Sequence, residues 1–109
     1  MKDDALYLDH ILTCLDRVES FIADGEQYFM HDIKTQDAVI RNLQVLSEST
    51  QRISPDLKDA HPEIPWARIA AFRNVLTHGY LDVDLEVVWE VIQEDLPALR
   101  KAIRNIDKP

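Results

Sequence analysis

The stretch "TQDAVIRNLQVLSESTQRIS", residues 35–54, decides the fold. Ala38, Val39, Leu43, Leu46 and Ile53 recur at the three- and four-residue steps that put side chains on one face of a helix. Thr35 is the expected cap. Pro55 is expected to stop the helix, because it disfavours helical geometry in the residue before it. A helix with one apolar stripe must lay it against another element. No period of two persists anywhere in the chain, so the partners are expected to be helices too.

Upstream, "ALYLDHILTCLDRVESFIADG" (5–25) places Leu8, Ile11, Leu12, Leu15, Val18 and Ile22 at helical spacing. Asp3 or Asp4 is expected to cap it and Gly25 to end it. "EQYFMHD" (26–32) reads as a short turn or single-turn helix adding Tyr28 and Phe29 to the core. Downstream, "PDLKDAHPEIP" (55–65) is a loop with a helical turn at 56–60. "PWARIAAFRNVLTHGY" (65–80) starts a third helix at Pro65, where a missing N–H costs nothing. Its packing face is Trp66, Ile69, Ala70, Phe72 and Val75 or Leu76, and Gly79 is its expected stop. The fourth helix, within 81–105, takes Asp84 as cap and turns Leu85, Val88, Trp89, Ile92, Leu96, Leu99 and Ile103 inward. Pro97 is expected to kink or divide it. The expectation is one all-α domain spanning residues 1–109, an antiparallel up-and-down four-helix bundle with a short extra helical turn. Apolar faces this wide for so small a bundle also point to a homodimer.

Size and composition narrow the function. A chain of 109 residues with 46% hydrophobic content is enough for one core and too apolar for disorder. No apolar run reaches the length of a membrane span. The first residues lack a signal-peptide pattern. The single Cys14 excludes an internal disulfide, so a cytoplasmic location is expected. The net charge of -8 argues against a non-specific grip on nucleic acid. It is unevenly spread, however. Residues 63–80 hold Arg68 and Arg73 against Glu63 alone, which leaves room for a focused anion site.

That positive segment contains "RNVLTHGY", residues 73–80. Arg offers a fixed fork of donors suited to phosphate oxygens, and His exchanges protons near neutral pH. Together they can cleave RNA without a metal. A neutral His takes the 2′-hydroxyl proton, the oxygen attacks the adjacent phosphate, and the Arg stabilises the growing charge. Residues 73 and 78 stand about 140° apart on a helix at ~100° per residue. They share a site only if the helix unwinds near Gly79 or a second subunit supplies one of them. The bland alternative is an Arg paired with a carboxylate and a His serving as a C-terminal cap. Spacing alone leaves both open. His10, His31 and His61 form no i, i+4 pair with one another or with His78, so no zinc site is expected. No phosphate loop or other cofactor motif is present.

The pattern Arg, four residues, His, one residue, Tyr resembles the HEPN superfamily, specifically its HepT-like toxins. "IPWARIAAF" before it and "TQDAVIRNLQVLSEST" upstream carry the likeness over nearly the whole chain. The resemblance implies a dimeric helical bundle and a metal-independent endoribonuclease of a toxin–antitoxin module. It implies Arg73 and His78 as the catalytic pair and Asn74 as the polar residue after the Arg. It implies Tyr80 as the tyrosine that a minimal nucleotidyltransferase antitoxin modifies with AMP. Relatives usually carry glycine before Glu48 and alanine after it, where this chain has Ser47 and Ser49. The resemblance therefore does not assign Glu48 as a tether for Arg73. Gly79 stands where relatives often have a polar residue, which is expected to loosen the presentation of Tyr80. A rival reading is a non-catalytic subunit that a nucleotidyltransferase uses as partner or substrate, favoured by the acidic balance.

Overall fold

The computed structural model describes residues 2–78 and 82–106, with the side chains of Lys2 and His78 outside that description. Among the described residues the elements are α1 (Lys2–Phe21), α2 (Glu26–His31), α3 (Ile33–Gln51), α4 (Pro55–Ala60), α5 (Trp66–His78), α6 (Leu85–Glu94) and α7 (Leu96–Arg104). The four expected long helices are α1, α3, α5 and the α6–α7 pair. Pro97 sits in the first turn of α7 and Asp95 closes α6, so the proline divides the fourth helix.

Side-chain register gives the directions. The start of α1 meets the end of α3, where the Asp4 carboxylate accepts from the Ser54 N–H at 2.8 Å and its hydroxyl at 2.6 Å. On the opposite flank of α3, Glu48 pairs with Arg73 while Gln44, nearer the start of α3, reaches the Leu76 carbonyl. Both pairs of helices are therefore antiparallel. Arg100 of α7 bonds Asp16 and Glu19 of α1, closing the bundle.

The core has two parts along the bundle. One gathers Leu8, Ile11, Leu15, Leu46 and Ile103; the other gathers Val18, Phe29, Leu43, Leu76 and Ile92. Leu96 packs against both. Cys14 is buried, and burial pushes its thiol pKa up against the pull of Arg17, which keeps it an inert core group. No helix among the described residues is long and apolar enough to cross a membrane.

Several local expectations need correction. Helix α3 begins two residues before Thr35. Its cap is Asp32, which accepts from the Thr35 N–H at 3.0 Å and from the Thr35 hydroxyl. Asp3 and Asp4 lie inside α1; Asp4 is drawn into its long-range bonds with Ser54. Tyr28 is 49% exposed while its neighbour Phe29 is fully buried, because a six-residue helix presents only one of two adjacent positions to the core. Leu76 takes the core position on α5, leaving Val75 outside. Helix α1 ends at Phe21, four residues before Gly25; the glycine instead follows the turn at 22–24 and caps α2, at φ 95. A Cβ there meets nothing within 4 Å, so it is backbone geometry, not space, that requires glycine. Gly79 as the stop of α5 lies outside the described residues.

Two stability outcomes follow from these bonds. Asp4→Ala strips the partners from a part-buried Ser54 and lowers urea-unfolding stability by about 1–3 kcal/mol. The Thr35 donors hold the Asp32 carboxyl below its ordinary value. Its stabilisation is complete above the ordinary carboxylate range and is lost as pH falls through the lowered folded value. Asp32→Asn should accordingly flatten that part of an acid-denaturation curve followed by circular dichroism.

Candidate active site

The site is built where α3 faces α5. Gln44 and Glu48 are one turn apart on α3 and share a face. The antiparallel register sets Glu48 opposite Arg73 and Gln44 opposite the last turn of α5. Arg73 Nε donates to Glu48 Oε2 at 2.6 Å. Gln44 Nε2 donates to the Leu76 carbonyl at 3.2 Å, satisfying one of the acceptors that a helix end leaves without a partner. These two contacts fix the axial position and rotation of α5.

The flanking serines fit this arrangement. Ser47 is fully buried, yet its hydroxyl donates to the Leu43 carbonyl at 2.8 Å; Ser49 does the same to Val45 at 2.9 Å. Neither leaves an orphaned polar atom, so their replacement of glycine and alanine does not prevent Glu48 from tethering Arg73.

Because Glu48 engages Nε, the terminal nitrogens of Arg73 keep most of their donors. One of them reaches Asn74 Oδ1, weakly, at 3.4 Å. The guanidinium lines an open cleft of about 380 Å³ between α1, α3 and α5. Tyr7, Arg41, Arg52 and Thr77 line the same cleft. Among the described residues, three guanidiniums thus line it, with Glu48 as the only acid.

Of the expected site residues, Arg73 stands on the cleft and Asn74 beside it. Helix α5 runs unbroken through His78, so positions 73 and 78 remain about 140° apart within one chain. Tyr80 lies outside the described residues, as does the side chain of His78. Reading the sequence missed Tyr7, Arg41 and Arg52. The signal was there on α3: residues 41, 44, 48 and 52 fall at steps of three, four and four, which is one polar stripe beside the apolar one.

A family model described as "Ribonuclease HepT-like" matches residues 11–106. The chain belongs to the HepT-like ribonuclease family. It is 38% identical over 103 residues to "Probable ribonuclease HepT" of Thermococcus cleftensis, covering 94% of each chain. It is 34% identical over 106 residues to "Gamma-glutamylcyclotransferase and putative RNase MJ0434" of Methanocaldococcus jannaschii, covering 96% of this chain and 48% of that protein. A third relative, "Putative RNase TTE0752" of Caldanaerobacter subterraneus, is 30% identical over 107 residues, covering 97% of this chain and 96% of its own. No solved structure matches.

In the charge-stabilising role proposed below for Arg73, the Glu48–Arg73 bond matters through position more than through energy. The two side chains are 46% and 34% exposed, and such pairs contribute roughly 1 kcal/mol or less. Misplacing a charge-stabilising group costs far more in rate, on the order of 100-fold. Glu48→Ala should therefore cut kcat/KM by about 10- to 100-fold while shifting the thermal midpoint little. Comparing single-turnover cleavage with a melting curve checks both halves of that statement.

Proposed function

We propose that this HepT-like ribonuclease is a metal-independent endoribonuclease, active in the cytoplasm as a homodimer and forming the toxin half of a toxin–antitoxin pair. The observation that carries this reading is Arg73, oriented by Glu48 with its free donors on a cationic cleft. That is the arrangement needed to stabilise charge on a phosphoryl group.

In this reading a neutral His78 removes the proton from a ribose 2′-hydroxyl. The oxygen attacks the neighbouring phosphorus, and the bond to the 5′ oxygen breaks. Arg73 stabilises the phosphoryl oxygens, with Asn74 beside its guanidinium. The second protomer's protonated imidazole gives the leaving oxygen its proton. The dimer is supported by the 140° separation of the two positions, since one chain does not aim both at one point. It is also supported by the outer face of α5, where Val75 is 52% exposed.

Inhibition belongs to the same proposal. A nucleotidyltransferase antitoxin transfers AMP from ATP to the Tyr80 hydroxyl, releasing pyrophosphate. Tyr80 is two residues beyond His78 in the sequence, and in this proposal the added phosphate competes with RNA phosphate for the cationic pocket.

Cleavage of total tRNA in the presence of chelator tests the enzyme. Wild type should cleave, and His78→Ala should lose about 100- to 10,000-fold of that rate. An unmodified wild type that leaves RNA intact would support the non-catalytic partner reading instead, which the net charge of -8 favours. Co-expression with a minimal nucleotidyltransferase followed by peptide mass mapping should find AMP on Tyr80. AMP on another residue would reassign the regulatory site.

A further inference from the structure

The cleft extends well beyond Arg73. Arg41 and Arg52 lie eleven residues apart, which is about three helical turns and about 16 Å along α3. Arg52 closes the helix in αR geometry, so it continues the same stripe. Arg73 meets α3 at Glu48, between the two. The three cations therefore form a row, spaced about 10 Å and 6 Å along the axis. A single phosphate does not span such a row; a chain of phosphates does.

Arg41 and Arg52 are both exposed, and no carboxylate among the described residues pairs with either. Arg68 and Arg100, by contrast, are each engaged by acids. The two free guanidiniums sit on the cleft in a protein of net charge -8, where most of the surface repels a polyanion. Across from them Tyr7 of α1, half-buried and edge-on to the His10 ring, lines the same space. A cationic groove with an aromatic platform is the physical recipe for a single strand, because every unstacked base offers a face to stack on.

We infer that the α1–α3–α5 cleft is the binding track for single-stranded RNA. Arg41 and Arg52 hold phosphates on either side of the one at Arg73, and Tyr7 stacks an unpaired base. This rests on the ribonuclease reading and adds to it the form of the substrate and the residues that position it. Arg41 and Arg52 are positioning residues: they act on affinity, not on the reacting phosphate.

The test uses the full chain and two probes, a cleavable single-stranded RNA oligonucleotide and its fully 2′-O-methylated counterpart. Arg41→Gln and Arg52→Gln should each weaken binding of the methylated strand several-fold at moderate salt. Each should reduce the slope of log affinity against log salt by about 0.7. On the cleavable strand they should raise KM and leave kcat at saturation unchanged. Tyr7→Leu, which keeps an apolar side chain in the core contact, should weaken single-strand binding about five-fold or more, without changing the salt slope. A duplex of the same sequence should bind wild type more weakly than the single strand.

The outcomes separate the two claims. If wild type cleaves RNA but both Arg variants bind and cleave as it does, the track is wrong and the ribonuclease reading stands. If wild type binds the methylated strand with the expected losses in the variants but cleaves nothing, the track stands and the catalytic reading falls. If wild type neither binds nor cleaves, both fall. Equal binding of duplex and single strand, with Tyr7→Leu silent, overturns the single-strand assignment.

Discussion

Helix α3 is pressed on both flanks, by α1 on one side and α5 on the other, and this double packing is the constraint on which the site depends. Leu43 and Leu46 are buried in different parts of the core, so α3 does not rotate without emptying both. Its apolar stripe thereby fixes where its polar stripe faces. Gln44 and Glu48 then transmit that register to α5 through the Leu76 carbonyl and Arg73. A slip of one residue on α5 would swing position 73 by ~100° around its axis, out of the cleft altogether. The hydrophobic packing supplies the rigidity; two polar contacts turn it into a defined place for a guanidinium.

Charge works on the same principle of placement over total. A protein at -8 is a poor general ligand for a polyanion. Exposed charges more than about 10 Å apart are largely screened at ordinary ionic strength. In the proposed reading, RNA would meet at close range the lining of the cleft, whose described residues include three guanidiniums and one carboxylate, that carboxylate being already paired with one of them. The acidic remainder disfavours non-specific adhesion of a polyanion, which would suit the single point of entry proposed above.

Much of the fold was legible because it rests on periodicity within single segments. The apolar faces of α1 and α3, the turn at 56–60, the Asp84 cap and the division at Pro97 all depend on local chemistry. Contacts between segments were not legible. Asp4 looked like a cap because its bond to Ser54 spans fifty positions of sequence. Thr35 looked like a cap because it sits at the polar edge of the stripe, yet its N–H and hydroxyl both serve Asp32. The same limit applied to the site. Arg73 stood out by its company in "RNVLTHGY", whereas Arg41 and Arg52 resembled ordinary solvated positions. Only the docking of α1 and α5 on either side turns the α3 stripe into the floor of a cleft.

The unbroken course of α5 through His78 bears most directly on the proposed chemistry. A helix is a stiff ruler, and positions 73 and 78 are set on different sides of it by geometry that no side-chain rotation erases. A single chain with this helix therefore carries positions 73 and 78 on different sides of α5, which is why the proposed chemistry calls for a second copy. The proposed homodimer, with a two-fold axis beside α5, would answer the problem at no cost in sequence. In that proposal position 73 of one copy would face position 78 of the other, and would do so twice, giving one base and one acid from a single kind of site. The enzyme's proton chemistry and its assembly state would, in that proposal, be one property.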